Sequence, residues 1–248
     1  PHRWGLSDFS QVDILLRSAI TLRSPIRMIF VAQSLFDEFR QSTHRYELKV
    51  SDSGLSQLAE YVERLWSWNE KINLTRHTTV EKFVTRDLVD VLQIAEQIEN
   101  GCEVLDMGTG GGVPGIPLAI LRPDLRVSLS ESIGKKARVV DDIVQQMGLP
   151  IAVFANRAED VLNDYRCDYV VARGVGPLWK MCGWLDPHWF SIRALLAVKG
   201  PKWVDERKEA RHRGLMQGLQ LRKVADYKTP DDEPRSSVIL RVSQSSAQ

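Results

Sequence analysis

A chain of 248 residues with 43% hydrophobic content is long enough to bury a full core, as one large domain or two small ones. Its net charge of +1 neither demands nor excludes a polyanionic partner, so local clusters must carry any such contact. Apolar runs such as Ile29-Phe30-Val31-Ala32 are too short to span a bilayer, and Cys102, Cys167 and Cys182 lack metal-ligand or C-x-x-C spacing, so the sequence predicts a cytosolic protein with reduced thiols and no metal site.

Residues 1–50 read as an N-terminal extension in which Val12–Leu16 and Ile29–Phe39 have helical character, the second with Phe30, Leu35, Phe36 and Phe39 on one face. Met28 is a candidate natural start. Residues 51–248 form the main domain. It opens on two amphipathic helices within 53–98: Leu55, Leu58, Val62, Leu65 and Trp66 recur at helical spacing behind a cap at Ser53 or Asp52. A second helix spans Val80 to Ile98, with Phe83, Val84, Leu88, Val91, Leu92 and Ala95 inward.

The organising stretch follows. Val104-Leu105 fits a buried strand, Asp106 closes it, and Gly108, Gly110, Gly111 and Gly112 give a tight turn where a ligand can lie against bare backbone; Ile116 to Leu121 then starts a helix that tolerates Pro117 in its first turn. The spacing Gly108-x-Gly110-x-Gly112 is not the dinucleotide G-x-G-x-x-G, which argues against a nicotinamide-dependent oxidoreductase. An acid beside the turn repels pyrophosphate and suits a ligand with an amino group. S-adenosylmethionine has one and carries no phosphate. A second carboxylate, Glu131, ends the next apolar run and is placed to accept hydrogen bonds from a ribose.

Downstream, strands are predicted at Val127–Ser130, Ile151–Ala155, Tyr169–Ala172 and Ala194–Val198, alternating with helices near 134–147, 158–164 and 177–188. Leu219–Lys228 and Val238–Val242 are joined by the turn-rich segment Thr229 to Pro234 with no helix between, which predicts an antiparallel hairpin at the sheet edge. An α/β chain with seven strands, mostly parallel and Rossmann-like with a terminal antiparallel pair, is the class I methyltransferase layout.

Several separated motifs agree with one family. Trp68-Asn69-Glu70-Lys71-Ile72-Asn73-Leu74-Thr75, Asp106 through Pro117, Glu131-Ser132 with Lys135-Lys136, Arg157-Ala158-Glu159, Arg173 and Lys199-Gly200 together resemble the bacterial 16S (small-subunit) ribosomal RNA guanine-N7 methyltransferases, the glucose-inhibited division protein B family. The resemblance covers roughly residues 53–242. It implies cofactor contacts at Gly108, Val113, Ala158, Glu159 and Arg173. With Asp106, Gly110, Gly112 and Glu131 from the residue reading, these make the predicted cofactor set. Arg173, at the end of the fourth strand, can meet a cofactor carboxylate, an RNA phosphate or guanine O6. The chain departs from the family where Arg-His and Asp-Ser are usual: it carries Arg86-Asp87 and Asp90-Val91.

Guanine N7 bears a lone pair and no proton, so its methylation needs no general base, and Arg173 reads as a positioner because a guanidinium does not deprotonate. RNA contact needs local positive charge. Candidates are Arg86, Lys135, Lys136 with Arg138, Lys199 and Lys202, then the run Arg207 to Arg213, with Trp179, Trp184 or Trp203 as stacking partners. The predicted protein is a monomeric, cytoplasmic enzyme with S-adenosylmethionine as cofactor and small-subunit ribosomal RNA as partner. The alternatives are an RNA-binding or ribosome-assembly protein that keeps the fold without turnover, and a methyltransferase with a changed substrate.

Overall fold

The structure, a computed structural model, describes residues 25–245. The predicted helical run at Val12–Leu16 lies outside them, as does the side chain of Phe30.

Three helical elements precede the sheet. Helix α1 (Pro25–Arg45) sends Phe39 into the core, where it meets Phe83 edge-on with centroids 5.7 Å apart. Helix α2 (Asp52–Asn69) starts one residue before an Asp52 cap would allow and two before a Ser53 cap: Ser51 is the cap, extended at φ −70°, ψ 153°, and its Oγ accepts from the Gly54 amide at 3.1 Å. The predicted Val80–Ile98 helix is not uniform. Helix α3 is α-helical over Val80–Lys82, π-helical over Phe83–Leu88 and α-helical again over Val89–Ala95. Phe83, Val84, Leu88 and Val91 are buried as their spacing predicts, and so are Asp87 and Asp90. A π-helical turn is costly and often marks a functional position. Here it contains Arg86 and Asp87.

The sheet has seven strands in the order β3-β2-β1-β4-β5-β7-β6. They are β1 (Glu103–Met107), β2 (Arg126–Ser130), β3 (Ala152–Phe154), β4 (Tyr169–Arg173), β5 (Ala194–Lys199), β6 (Leu219–Lys228) and β7 (Ser236–Gln244). The first five are parallel, and β7 lies antiparallel between β5 and the edge strand β6. The crossovers carry α4 (Gly115–Leu121), α5 (Gly134–Gln146), α6 (Ala158–Asp164), α7 (Leu178–Trp184) and α8 (Trp203–His212). The helix expected over 177–188 ends at Trp184 and is followed by a 3-10 turn at Asp186–His188, because Pro187 cannot donate the next ladder bond.

Side chains alternate across the strands and sort into two cores. Val104, Leu129, Tyr169 and Val171 face α1 to α5, whereas Leu105, Val170, Ala172 and Leu195 face α6 to α8. This period-2 rule sends Asp106 and Arg173 toward the α3 face and Met107 toward the α6–α7 face. It places the two halves of the candidate site on opposite sides of the β1 end.

Candidate functional site

In an open parallel sheet, ligands bind beyond the strand carboxyl ends where the order reverses. Here that point lies between β1 and β4. The loops after these strands touch: a Cβ added at Gly108 would lie 3.2 Å from Val175 Cγ2. A cleft of ≈ 210 Å³ opens beside them, lined by Gly108, Ser130, Ala158, Glu159, Val175 and Trp184 among others. Larger hollows, ≈ 510 Å³ by Trp68 and Asp142 and ≈ 790 Å³ by Gln57 and Arg122, lie between helices away from the strand ends. Topology, rather than size, selects the site.

Asp106 is fully buried. Its Oδ2 accepts from Thr109 Oγ1 at 2.6 Å and from the Gly115 amide at 2.8 Å, so it ties the strand end to the first turn of α4. Its Oδ1 is equally buried and has no partner. Burial pushes this carboxyl up to about 6, against the lowering hydrogen bonds from Thr109 and Gly115. The folded protein therefore holds a proton that the unfolded chain releases near 3.8. Stability is highest below that value and falls as pH rises through about 6, by an amount of the order of 3 kcal/mol from this group. Asp106→Asn keeps an acceptor for Thr109 and Gly115 and is expected to remove that slope. Chemical denaturation at intervals from pH 4 to pH 7 measures it, and a slope equal to that of the parent chain would refute the assignment.

Glu131 bridges two loops. Its Oε2 accepts from the Gly110 amide at 3.0 Å and its Oε1 from the Ile133 amide at 2.8 Å. Each oxygen keeps lone-pair capacity for a further donor. The glycine turn is held from the α2 side, where Tyr61 OH donates to the Gly111 carbonyl at 2.8 Å. Asn69 accounts for part of the Asn-Leu-Thr motif: its Oδ1 accepts from the Leu74 and Thr75 amides at 2.8 and 2.9 Å, laying that loop across Gly111.

Arg173 does not line the cleft. It turns to α3, where it pairs with Asp87 Oδ1 and, at 3.1 Å, with Asp90 Oδ2; its Nη1 also donates to the Arg86 carbonyl at 3.4 Å. Burial alone would lower its pKa, but the two carboxylates outweigh that and hold it above its ordinary value. Asp90 is pushed up by its own burial, partly offset by Arg173 and a hydrogen bond from Tyr227. Asp87, at one of the positions that depart from the family pattern, thus supplies a second carboxylate to Arg173, and His77 lies against it at 2.8 Å. Nothing in the neighbouring sequence marks His77 or Tyr227 as part of this network. Thr109 has a local signal, a hydroxyl three residues after an aspartate at a strand end.

The other predicted residues divide. Gly108, Ala158 and Glu159 share the cleft, Gly110 and Gly112 shape the turn, and Val113 packs half-buried against the core on the α3 side. Two RNA candidates are occupied. Arg86 pairs with Asp231 at 2.5 Å and donates to Thr229 Oγ1 and the Glu233 carbonyl, pinning the β6–β7 turn to α3. Lys199 is buried, with Nζ 2.6 Å from both the Gly176 carbonyl and Glu206. These two correct the expectation, since neither cation projects from the surface. Lys135, Lys136 and Lys202 have no ion pair among the described residues, and Lys135 and Lys202 are exposed. Arg213 lies 3.9 Å over the Trp179 ring.

Residues 54–235 match the family described as rRNA small subunit methyltransferase G. A protein of Rhodopirellula baltica named ribosomal RNA small subunit methyltransferase G is 54% identical over 190 residues, spanning 77% of this chain and 82% of that one. One of the same name from Roseiflexus sp. is 33% identical over 210 residues, 82% of this chain and 90% of that one. Among solved structures, a precorrin-6y C5,15-methyltransferase of Geobacter metallireducens superposes with TM-score 0.50 at 13% identity over 71% of this chain and 95% of its own, a likeness of fold alone. With a match over most of its length and these levels of identity, the chain belongs to the rRNA small subunit methyltransferase G family.

Proposed function

We propose that this protein transfers a methyl group from S-adenosylmethionine to N7 of a guanine in the 16S ribosomal RNA of the small subunit. The observation that carries the reading is the pairing of a glycine-bare strand end with an arginine immobilised at the switch point. The residues present fit the cofactor: Asp106 Oδ1 is a buried acceptor without a partner, and Gly108 keeps the β1 end free of side chain at the cleft. Glu131 would hold its ribose, with Ala158 and Glu159 beside the adenine, and Asp106, buried behind the turn, would act on the amino end of the cofactor through the glycine turn it braces. When bound, S-adenosylmethionine supplies an electrophilic methyl on a sulfonium.

The chain's own part is placement. N7 carries no proton to remove, so the catalytic demand is alignment, which can supply about 7–11 kcal/mol in favourable cases. Arg173 donates through Nη1 to Asp90 and to the Arg86 carbonyl and sets Nη2 against Asp87 as an ion pair, and we assign the remaining donor capacity of its guanidinium to the target nucleotide. A grip on O6 or a phosphate leaves N7 open, whereas a bidentate grip on O6 and N7 would block the reaction. Lys135, Lys136 and Lys202 are the cations we assign to the RNA backbone. We assign catalysis to residues 51–248, with residues 1–50 as a flanking extension, in a cytoplasmic monomer that needs no metal. No helix among the described residues is long and apolar enough to cross a membrane.

The test is transfer of a labelled methyl to small ribosomal subunits that lack the modification, with the modified base located by N7-specific cleavage. Label at one guanine N7 is the expected result. Cofactor binding without label on any ribosomal RNA would overturn the proposal and favour a non-catalytic assembly role or another substrate.

A further inference from the structure

Arg173 is gripped by two carboxylates, and each is itself held from behind. Asp87 sets Oδ1 against Arg173 as an ion pair while its Oδ2 lies 2.8 Å from His77 Nδ1. Asp90 gives Oδ2 to Arg173 while its Oδ1 accepts from Tyr227 OH at 2.6 Å. The two braces come from segments far apart in sequence. His77 sits in the α2–α3 loop, where its carbonyl accepts from Trp66 Nε1 at 2.8 Å and its amide donates to Thr75 Oγ1 at 3.0 Å. Tyr227 is on the edge strand β6 and is partly buried.

A carboxylate bonded at one oxygen can turn, because the terminal torsion of aspartate is broad and has no sharp staggered wells. One held at both oxygens, by a hydrogen bond or an ion pair, cannot. The braces therefore fix the plane of each carboxylate, and two fixed carboxylates fix the guanidinium.

We propose that His77 and Tyr227 are positioning residues that act on the target nucleotide through Asp87, Asp90 and Arg173. This rests on the reading of Arg173 as the group that orients the guanine. His77 and Tyr227 themselves touch no reacting atom; they set how the Arg173 guanidinium is oriented. Displacement of a reactive alignment by about 1 Å can cost 10²-fold in rate, so loosening one jaw has a kinetic signature.

The test uses His77→Ala, Tyr227→Phe and the double variant, each in the native and the Arg173→Ala background. Each single change is expected to lower kcat for methyl transfer to small subunits roughly tenfold, with KM for S-adenosylmethionine and for the subunit within about twofold. In the Arg173→Ala background the same changes are expected to cost nothing further, since there is no longer a guanidinium to aim. His77→Asn, which restores a donor on a shorter side chain, is expected to recover part of kcat. Independently of turnover, the Arg173 Nη nitrogen resonances are expected to be resolved in the parent chain and averaged in the double variant. Parent-like kcat in both single variants, an equal loss in both backgrounds, or Nη signals that do not change would each overturn the inference. Absence of label with the parent chain would instead defeat the proposed function, and the resonance measurement would still decide the clamp.

Discussion

Replacing Arg173 with alanine is expected to lower methyl transfer by about 10²-fold or more while leaving S-adenosylmethionine affinity within a few-fold of the parent value. The separation follows from the geometry. The cofactor cleft is built from Gly108, Ser130, Ala158 and Glu159, and Arg173 stands on the other side of the β1 end against α3. The same substitution carries a stability cost with a definite pH dependence. Asp87 and Asp90 are 1% and 10% exposed at their side chains, and without the guanidinium both are left as buried carboxylates lacking their cation. Breaking a buried pair by removing one partner costs about 3–5 kcal/mol.

Burial already holds Asp90 above its ordinary value, and loss of Arg173 removes the influence that most opposes this. A carboxyl raised in the folded state favours folding below its unfolded pKa of 3.8 and costs stability as pH rises through its folded value. The deficit of Arg173→Ala is therefore largest at neutral pH and shrinks toward pH 4. Calorimetric titration with S-adenosylmethionine, initial rates on small subunits, and urea unfolding at pH 7 and pH 4.5 check the three parts. A tenfold or greater loss of cofactor affinity would place Arg173 in the cofactor site after all. A deficit that is the same at both pH values would mean that the carboxylates find other partners.

Much of the fold was readable because the central strands are buried on both faces. Val104-Leu105, Leu195-Leu196 and Tyr169 to Ala172 are continuous apolar runs, and among segments of this length separated by turn residues such runs identify a parallel sheet. The glycine turn was readable because its chemistry is local. Asp106 accepts from both Thr109 and Gly115, within nine residues.

The surroundings of Arg173 were not readable. Asp90 is 83 residues away from Arg173 in the chain and 137 from Tyr227, and no periodicity encodes a contact between a helix face and an edge strand. The same distance defeated the reading of Arg86, whose Thr229 partner is 143 residues distant. Lys199 looked like a cation at a crevice, but the register that pairs it with Val238 of β7 also buries it. The π-helical turn over Phe83–Leu88 left no mark in the hydrophobic spacing, since one extra residue in a turn moves the apolar face by less than the width of that face. Local chemistry is written in neighbouring residues, whereas a charge network assembled across the sheet is written only in the fold.

That distinction bears on Gly115, where a local motif and the tertiary packing meet. Gly115→Ala is expected to destabilise the protein by about 2–4 kcal/mol, combining overpacking with weakening of the bond from its amide to Asp106. A Cβ at this position would overlap Leu129 Cδ2 and lie 2.8 Å from Asp106 Oδ2. Neither neighbour can retreat cheaply, because Leu129 and Asp106 are both fully buried. Anything that displaces Asp106 also moves its Oδ1 and the strand end that carries Gly108, so cofactor affinity is expected to fall together with stability. For a chain of this size the stability loss corresponds to a drop of about 5–12 °C in melting temperature.

Gly134 is the internal control. It begins α5 near the same rim, but a Cβ there would meet nothing within 4 Å. Gly134→Ala is expected to change stability by no more than about 0.5 kcal/mol and to leave cofactor binding intact. Thermal melts and S-adenosylmethionine titrations of the two variants side by side decide the point. Parent-like melting of Gly115→Ala would show that the β1–α4 joint can relax, and the rigid strand end on which the cofactor reading depends would then lose its basis. Loss confined to Gly115 would show that the turn serves binding through close packing, with Asp106 as the strut between strand and helix.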